Sequence, residues 1–175
     1  MANTTKKVSC PACGKEMEKV FIPKTGFTLD ICVDGCGGIF FDNREFKEFD
    51  EPFEDITPIL EKVQGKVFEE VDTSAPRYCP NCGAKMVKNF ASAKKEIEVD
   101  DCYKCGGKFL DNGELIKIRN QYDSDEERSK ALMEYINCTV GAELAELNER
   151  VEEQRRNRSL LQKLFWGMIG DSSNL

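Results

Sequence analysis

Cys10-Pro11-Ala12-Cys13-Gly14-Lys15-Glu16-Met17 and Cys79-Pro80-Asn81-Cys82-Gly83-Ala84-Lys85-Met86 are two copies of one phrase. Each is answered downstream by a second cysteine pair, Cys32-Val33-Asp34-Gly35-Cys36 for the first and Cys102-Tyr103-Lys104-Cys105 for the second. Two close thiol pairs about twenty residues apart supply the four sulfurs of a tetrahedral metal site on a small β-scaffold. The chain has 9 cysteines and no histidine, so a mixed Cys/His site and imidazole acid–base chemistry are both excluded. Two Zn²⁺ sites follow, one on Cys10, Cys13, Cys32 and Cys36, the other on Cys79, Cys82, Cys102 and Cys105. Tetrahedral S₄ also suits iron, and paired thiols can serve redox chemistry; zinc is the primary reading.

The repeat extends beyond the ligands. Asp30-Ile31-Cys32 and Cys36-Gly37-Gly38-Ile39-Phe40-Phe41-Asp42-Asn43-Arg44-Glu45 correspond to Asp100-Asp101-Cys102 and Cys105-Gly106-Gly107-Lys108-Phe109-Leu110-Asp111-Asn112-Gly113-Glu114. Gly14 and Gly83 can take the positive φ that a tight thiolate turn needs, and the double glycines allow the same at the second turn. Between the turns, Lys19–Ile22 and Phe27–Ile31 read as hairpin arms, as do Met86–Phe90 and Lys95–Val99. Phe40-Phe41 and Phe109-Leu110 extend each sheet, and Asp42-Asn43 or Asp111-Asn112 opens a short helix with Glu45 or Glu114 in its first turn. The first unit has three residues between Cys32 and Cys36 where the second has two, so the first metal is expected to be held less firmly.

A unit of this size buries too little apolar surface to fold unaided, which makes the metal a folding requirement. No apolar stretch follows the N-terminus, and none reaches the length of a membrane span. A cytoplasmic, reducing location is the expectation, where CxxC pairs hold metal rather than form disulfides. The formal charge is −7 and falls to −11 with two filled sites, since each Zn²⁺ on four thiolates adds −2. Such a chain has no general attraction for phosphate, although residues 76–120 alone carry nine basic and six acidic groups.

Cys-Pro-x-Cys-Gly-x-x-Met, followed by Asp-x-Cys, Cys-Gly-Gly, an aromatic, an apolar residue and Asp-x-x-Glu, resembles the bacterial zinc-ribbon domains named for transcription factor IIB. The resemblance covers residues 8–50 and 77–118, about half the chain. It implies the ribbon fold, zinc and the eight cysteine ligands. Its link to transcription enters as an expectation.

Residues 51–75 are acidic, with Pro52 and Pro58 as breakers. Thr57-Pro58 reads as a helix start, and Ile59, Leu60, Val63, Val67, Phe68 and Val71 follow at helical spacing, predicting an amphipathic helix packed on a ribbon. From Ser124-Asp125-Glu126-Glu127 a long helix runs to about residue 169, with a 3-4 stripe through Val140, Leu144, Leu147, Val151, Leu161, Phe165 and Met168, broken at Gln154 and Arg158. Ala131, Tyr135, Cys138, Ala142 and Ala145 form a second stripe, with Cys138 expected to be a small buried residue. The basic-then-apolar end, Arg155 to Gly170, favours a protein partner over a membrane surface.

The fold class is therefore small α+β: zinc ribbon 1 over 1–50, a helical linker over 51–75, zinc ribbon 2 over 76–120 and a long helix within 121–175. The expected function is a non-enzymatic, zinc-stabilised interaction module, an adaptor near transcription or other macromolecular machinery, with a protein partner or a second copy at the long helix. Two alternatives stay open. One is direct nucleic-acid binding through Lys85, Lys88, Lys94, Lys95, Lys104 and Lys108 of ribbon 2, with Phe90 or Tyr103 stacking. The other is thiol redox or metal handling.

Overall fold

The structure is a computed structural model that describes residues 7–169, and their side chains except at 142 and 157–169. Six strands form in chain order: β1 Glu18–Ile22, β2 Phe27–Ile31, β3 Ile39–Phe41, β4 Val87–Phe90, β5 Glu98–Asp101 and β6 Lys108–Leu110. Each half is the expected antiparallel three-strand ribbon. β5 starts later than the arm Lys95–Val99, because Lys95 lies in the left-handed region at φ +56° and the chain becomes a strand only at Glu98. The halves are not separate, however. β3 pairs antiparallel with β6, so all six strands make one sheet in the order β1-β2-β3-β6-β5-β4. Residues up to Ser124 form one compact unit; the long helix belongs to a second.

The register at the junction sets Phe40 opposite Phe109, Ile39 opposite Leu110 and Phe41 opposite Lys108. Phe40 and Phe109 are equivalent positions of the repeat, so the two ribbons meet through the same edge in opposite directions, as the halves of an isologous dimer do. Glycines make room for it. A Cβ on Gly38 would lie 2.3 Å from Cζ of Phe109, and one on Gly107 would lie 2.5 Å from Cζ of Phe40. The second glycine of each Cys-Gly-Gly thus admits the other ribbon's ring.

Alternation across this sheet builds two apolar layers. Ile31, Ile39, Phe41, Val99 and Leu110 lie on one side, covered by Phe49, by Ile56 and Ile59, and by Leu115 and Ile118. Phe40 and Phe109 lie on the other, among the zinc-site cysteines. The helices behind this packing are α1, Thr57–Val63, and α2, Glu114–Arg119.

α1 is shorter than its apolar spacing predicts. It carries proline in its first turn and packs Ile59 inward, but the chain turns extended at Gln64 and left-handed at Gly65, φ +71°. Gly65 costs a helix little as a terminator and much as an interior residue. Val67 is 98% exposed in consequence, while Phe68 and Val71 are half-buried toward the zinc layer. The irregular segment after α1 is a strap: Glu69 N–H donates to the Gly35 carbonyl at 3.0 Å, and Phe68 packs where a Cβ on Gly37 would be.

Arg119 of α2 is a clamp that the sequence does not advertise. Its guanidinium is buried and donates to three carbonyls, of Phe49 at 2.7 Å, Pro52 at 2.9 Å and Glu54 at 2.7 Å. It ties the helix of the second ribbon to the loop leaving the first. Each Asp-x-x-Glu segment makes a reciprocal contact: Asp42 N–H donates to Oε2 of Glu45 at 2.8 Å, and Asp111 N–H to Oε2 of Glu114 at 2.7 Å. Arg44 between them has φ +73° where the second copy has Gly113 at +80°.

The second unit is α3, Asp125–Ile169, an unbroken helix of 45 residues and about 67 Å. Its first turn carries Asp125, Glu126 and Glu127, as the macrodipole favours. Cys138 is exposed, which corrects the expectation of a buried residue. The side chains of Ala142, Arg158, Leu161, Phe165 and Met168 lie outside the described residues.

Candidate metal centres

Each CxxCG turn closes through a glycine in the left-handed region. Gly14, φ +77°, donates its N–H to the Cys10 carbonyl at 2.9 Å, and Gly83, φ +70°, does so to Cys79 at 2.8 Å. The N–H groups that reach sulfur are the preceding ones: those of Ala12 and Cys13 toward Cys10, and those of Asn81 and Cys82 toward Cys79. On the opposing turns, Cys36 N–H serves Cys32, while Lys104 and Cys105 N–H serve Cys102. These donors disperse thiolate charge and fix the sulfur positions.

All eight predicted ligands converge, four to a site, with the sulfurs of each site within 4.8 Å of one another. Cys10 and Cys36 are 3.4 Å apart, Cys13 and Cys32 3.4 Å, Cys79 and Cys105 3.5 Å, and Cys82 and Cys102 3.4 Å. A Zn²⁺ with four Zn–S bonds of about 2.3 Å sets its sulfurs about 3.8 Å apart, so these tetrads need only a slight expansion to receive the ion. None of the nine cysteines is in a disulfide. Two Cys₄ clusters with this spacing fit two zinc ions.

One thiol of each site, Cys36 or Cys102, is held below the ordinary range, while several of its neighbours are raised. The Cys10 thiol donates to Cys36 and pulls it down to about 5, and the same contact pushes Cys10 up. Burial raises Cys32 to about 12 and raises Cys79. Cys102 comes down to about 7: burial opposes the shift, but the N–H of Cys105 and the Cys82 thiol outweigh it. Cys36 and Cys102 are therefore the most readily ionised thiols of their sites, and a bound cation would drive off the remaining protons.

The two sites differ in their surroundings. The extra residue of the first turn is absorbed without breaking it, since Gly37 N–H still closes on the Cys32 carbonyl at 3.0 Å, as Gly106 does on Cys102 at 2.7 Å. Gly35 does not take a positive φ. Its role is close approach: a Cβ there would lie 2.7 Å from Sγ of Cys32 and 2.9 Å from Sγ of Cys13. Lys15 Nζ lies beside the turn, bonded to the Asp34 carbonyl at 3.0 Å and to Oε1 of Glu69 at 2.5 Å. With the strap over it, the first site has three buried cysteines and one half-buried; the second has two of each. The first site is the better covered of the two, which argues for the firmer hold where loop length argues for the weaker.

Ribbon 2 has a feature the ligand pattern does not reveal. Arg77 is 2% exposed, donates to Oδ2 of Asp100 at 2.8 Å and Oδ2 of Asp111 at 2.9 Å, and lies 5.0 Å from the Phe109 ring centroid. Its counterpart in ribbon 1 is Val8, although Asp30 and Asp42 repeat the two carboxylates. A basic residue two positions before Cys79, with no equivalent before Cys10, is the signal that could have found it.

The lysines of ribbon 2 are partly engaged within the fold. Lys88 pairs with Asp100 at 3.4 Å, Lys108 pairs with Asp101, and Lys94 donates to the Gln121 carbonyl at 2.5 Å while lying 4.5 Å from the Tyr122 ring centroid. Lys85 and Lys104 are exposed, as are Phe90 and Tyr103. Among the described residues, no helix is long and apolar enough to cross a membrane.

Comparison with known proteins agrees with the two clusters. The family model for the transcription factor zinc-finger matches residues 9–49 and again 78–121. No similar curated protein and no similar solved structure was found. With eight ligands in two matched tetrads and both segments recognised independently, the chain carries two tandem zinc ribbons of the transcription-factor-IIB type.

Proposed function

We propose that this chain is a zinc-stabilised, non-enzymatic interaction protein in which the fused ribbons are a rigid body and α3 is the element that engages a partner. One observation carries the reading: Met133, Ile136, Val140, Leu144, Leu147 and Val151 follow at 3-4 spacing along α3 and are all substantially exposed. An apolar seam of that length is a binding surface on general grounds. Four thiolates saturate each zinc, leaving no position for substrate or water, so the metal supplies folding energy rather than Lewis-acid catalysis. A reducing, cytoplasmic setting suits thiols that must stay unoxidised. The description of the matching family favours a role beside the transcription machinery.

Direct nucleic-acid binding is the weaker reading, because three ribbon-2 lysines already have partners in the fold and the whole chain is acidic. Fluorescence anisotropy of the zinc-loaded chain with labelled single- and double-stranded oligonucleotides separates the two. The interaction reading expects no saturable binding at near-physiological salt. Tight binding that weakens steeply with salt and is lost on Lys85→Ala/Lys104→Ala would transfer the function to ribbon 2.

A further inference from the structure

The charges of α3 are distributed unevenly along its length. Residues 125–147 carry six acidic and two basic groups, whereas 148–169 carry three acidic and five basic. Two such helices laid parallel set like against like; laid antiparallel, each acidic half meets a basic half. From this we infer that the partner of α3 is a second copy of the same helix in antiparallel orientation, with Leu144 of one copy opposite Leu147 of the other. The inference rests on the reading of α3 as an interaction element.

Register follows from the seam. In antiparallel coiled coils, each a position of one helix layers with a d position of the other. Leu144 and Val151 share one seam position, and Val140 and Leu147 the other. With Leu144 against Leu147, Val151 falls against Val140, and the polar Gln154 falls against the polar Asn137. The four central layers set apolar against apolar and the next set amide against amide, each pairing occurring twice by symmetry, and beyond them the register sets Met133 opposite the arginine at position 158.

The flanking positions agree independently. In this register Glu143 of one copy lies beside Arg150 of the other, and Glu134 beside Arg155, giving four attractive pairs per dimer. A parallel dimer instead sets each g position beside the e position five residues on, which brings Arg150 of one copy against Arg155 of the other. Both arginines are exposed within the single chain and, among the described residues, pair along the helix, Arg150 with Glu146 at 3.9 Å and Arg155 with Glu152 at 3.5 Å. They are free to turn across an interface. Cys138 falls outside the seam, in keeping with its exposure.

The test is sedimentation equilibrium of the full zinc-loaded chain, with zinc content and circular dichroism verifying that every variant is folded. The wild type is expected at twice the 19.8 kDa chain mass in the micromolar range, and Leu147→Asp at the single-chain mass. Arg150→Glu should raise the dissociation constant about tenfold at low salt, because each substituted residue then faces Glu143. Glu143→Arg/Arg150→Glu should restore it, which separates the interhelical pair from the lost Glu146–Arg150 contact. A parallel dimer gives the opposite sign: Arg150→Glu relieves the clash with Arg155 and tightens association. Tighter or unchanged association for that variant overturns the orientation. A wild type that stays monomeric at tens of micromolar overturns the second copy as partner, yet leaves α3 as a surface for a different protein, whose failure is read from the oligonucleotide experiment instead.

Discussion

Ribbon 1 and ribbon 2 share strands, ligands and glycines, yet they stabilise the same carboxylates differently. In ribbon 2, Arg77 sits between Asp100 and Asp111 with Lys88 adjacent. In ribbon 1 the place of Arg77 is taken by Val8, and Asp30 has Lys19 at 2.9 Å. Burial, reinforced by the charges of Asp42 and Asp30, raises Glu45 to about 7; the equivalent Glu114 is also raised by burial, but Arg77 opposes it. The lesson is that a duplicated unit keeps its metal shell while its second layer of polar contacts diverges. Ribbon 1 gained a strap and an apolar Val8; ribbon 2 gained an internal cation.

The sharpest way to break this comparison is to remove one ligand. Cys82→Ser should release the second zinc and, because β6 is the partner of β3, should also destabilise ribbon 1. Metal-binding energy in such units is about 10–16 kcal/mol and is folding energy. Zinc content below two with a collapsed melting transition for the whole first unit is the expected result. An intact, cooperatively melting ribbon 1 would mean that the β3–β6 junction is a contact without energetic weight.

Arg77→Ala should follow in size, at about 3–5 kcal/mol, because it takes the guanidinium from half-buried Asp111 and leaves buried Asp100 with only the longer Lys88 contact. Val8→Ala, its counterpart, removes only apolar contact and should cost about 1–2 kcal/mol. Chemical denaturation of both variants measures the difference.

Gly38→Ala and Gly107→Ala compare the two sides of the junction. Each Cβ would strike the opposite phenylalanine, so each should cost about 1–3 kcal/mol through overpacking. Phe109→Leu should partly rescue the first and Phe40→Leu the second. Absence of that crossed rescue would show that the glycines serve their own zinc turns instead.

Release of metal to a chelator should begin at the second site, whose Cys82 and Cys105 are half-buried, whereas the strap lies over the first. Site-resolved NMR of the ligand cysteines reads the order. Release from Cys10, Cys13, Cys32 and Cys36 first would restore the argument from loop length.

The smallest effect is Glu45→Gln. A carboxyl whose folded pKa is raised above its ordinary value near 4.5 to about 7 binds its proton more readily folded than unfolded. Its contribution to stability therefore declines as pH rises from about 4.5 to 7 and stays low above that. Glutamine can accept the Asp42 N–H without the charge, so stability at pH 8 should rise by about 1 kcal/mol, with a smaller gain at pH 6. An equal gain at both values would exclude ionisation as the cause.

Much of this architecture was legible in the residues. Ligand spacing and the repeat locate both zinc sites, and the alternating arms around Pro23–Gly26 give β1 and β2 almost to the residue, because a metal-pinned hairpin leaves its strands little choice. The β3–β6 pairing was not legible: each strand has three residues, and nothing local distinguishes an edge that meets its twin from one that meets water. The same ambiguity hid the purpose of Gly38 and Gly107, since a glycine after a zinc turn has a local explanation. Arg119 had no pattern at all, because its partners are backbone carbonyls 65–70 residues away. The stripe past Gly65 misled because helical spacing continues in the sequence after the backbone has stopped supporting it.

The reciprocal seat of Phe40 and Phe109 bears on how the protein behaves when dilute. Two free ribbons meeting through one edge would separate as concentration fell. Joining them by a chain segment turns that meeting into an intramolecular event with an effective concentration in the millimolar range for a short flexible tether. The junction then survives at the few copies per cell at which an untethered pair would be lost, and each half is free to vary without having to remain complementary to an identical copy of itself.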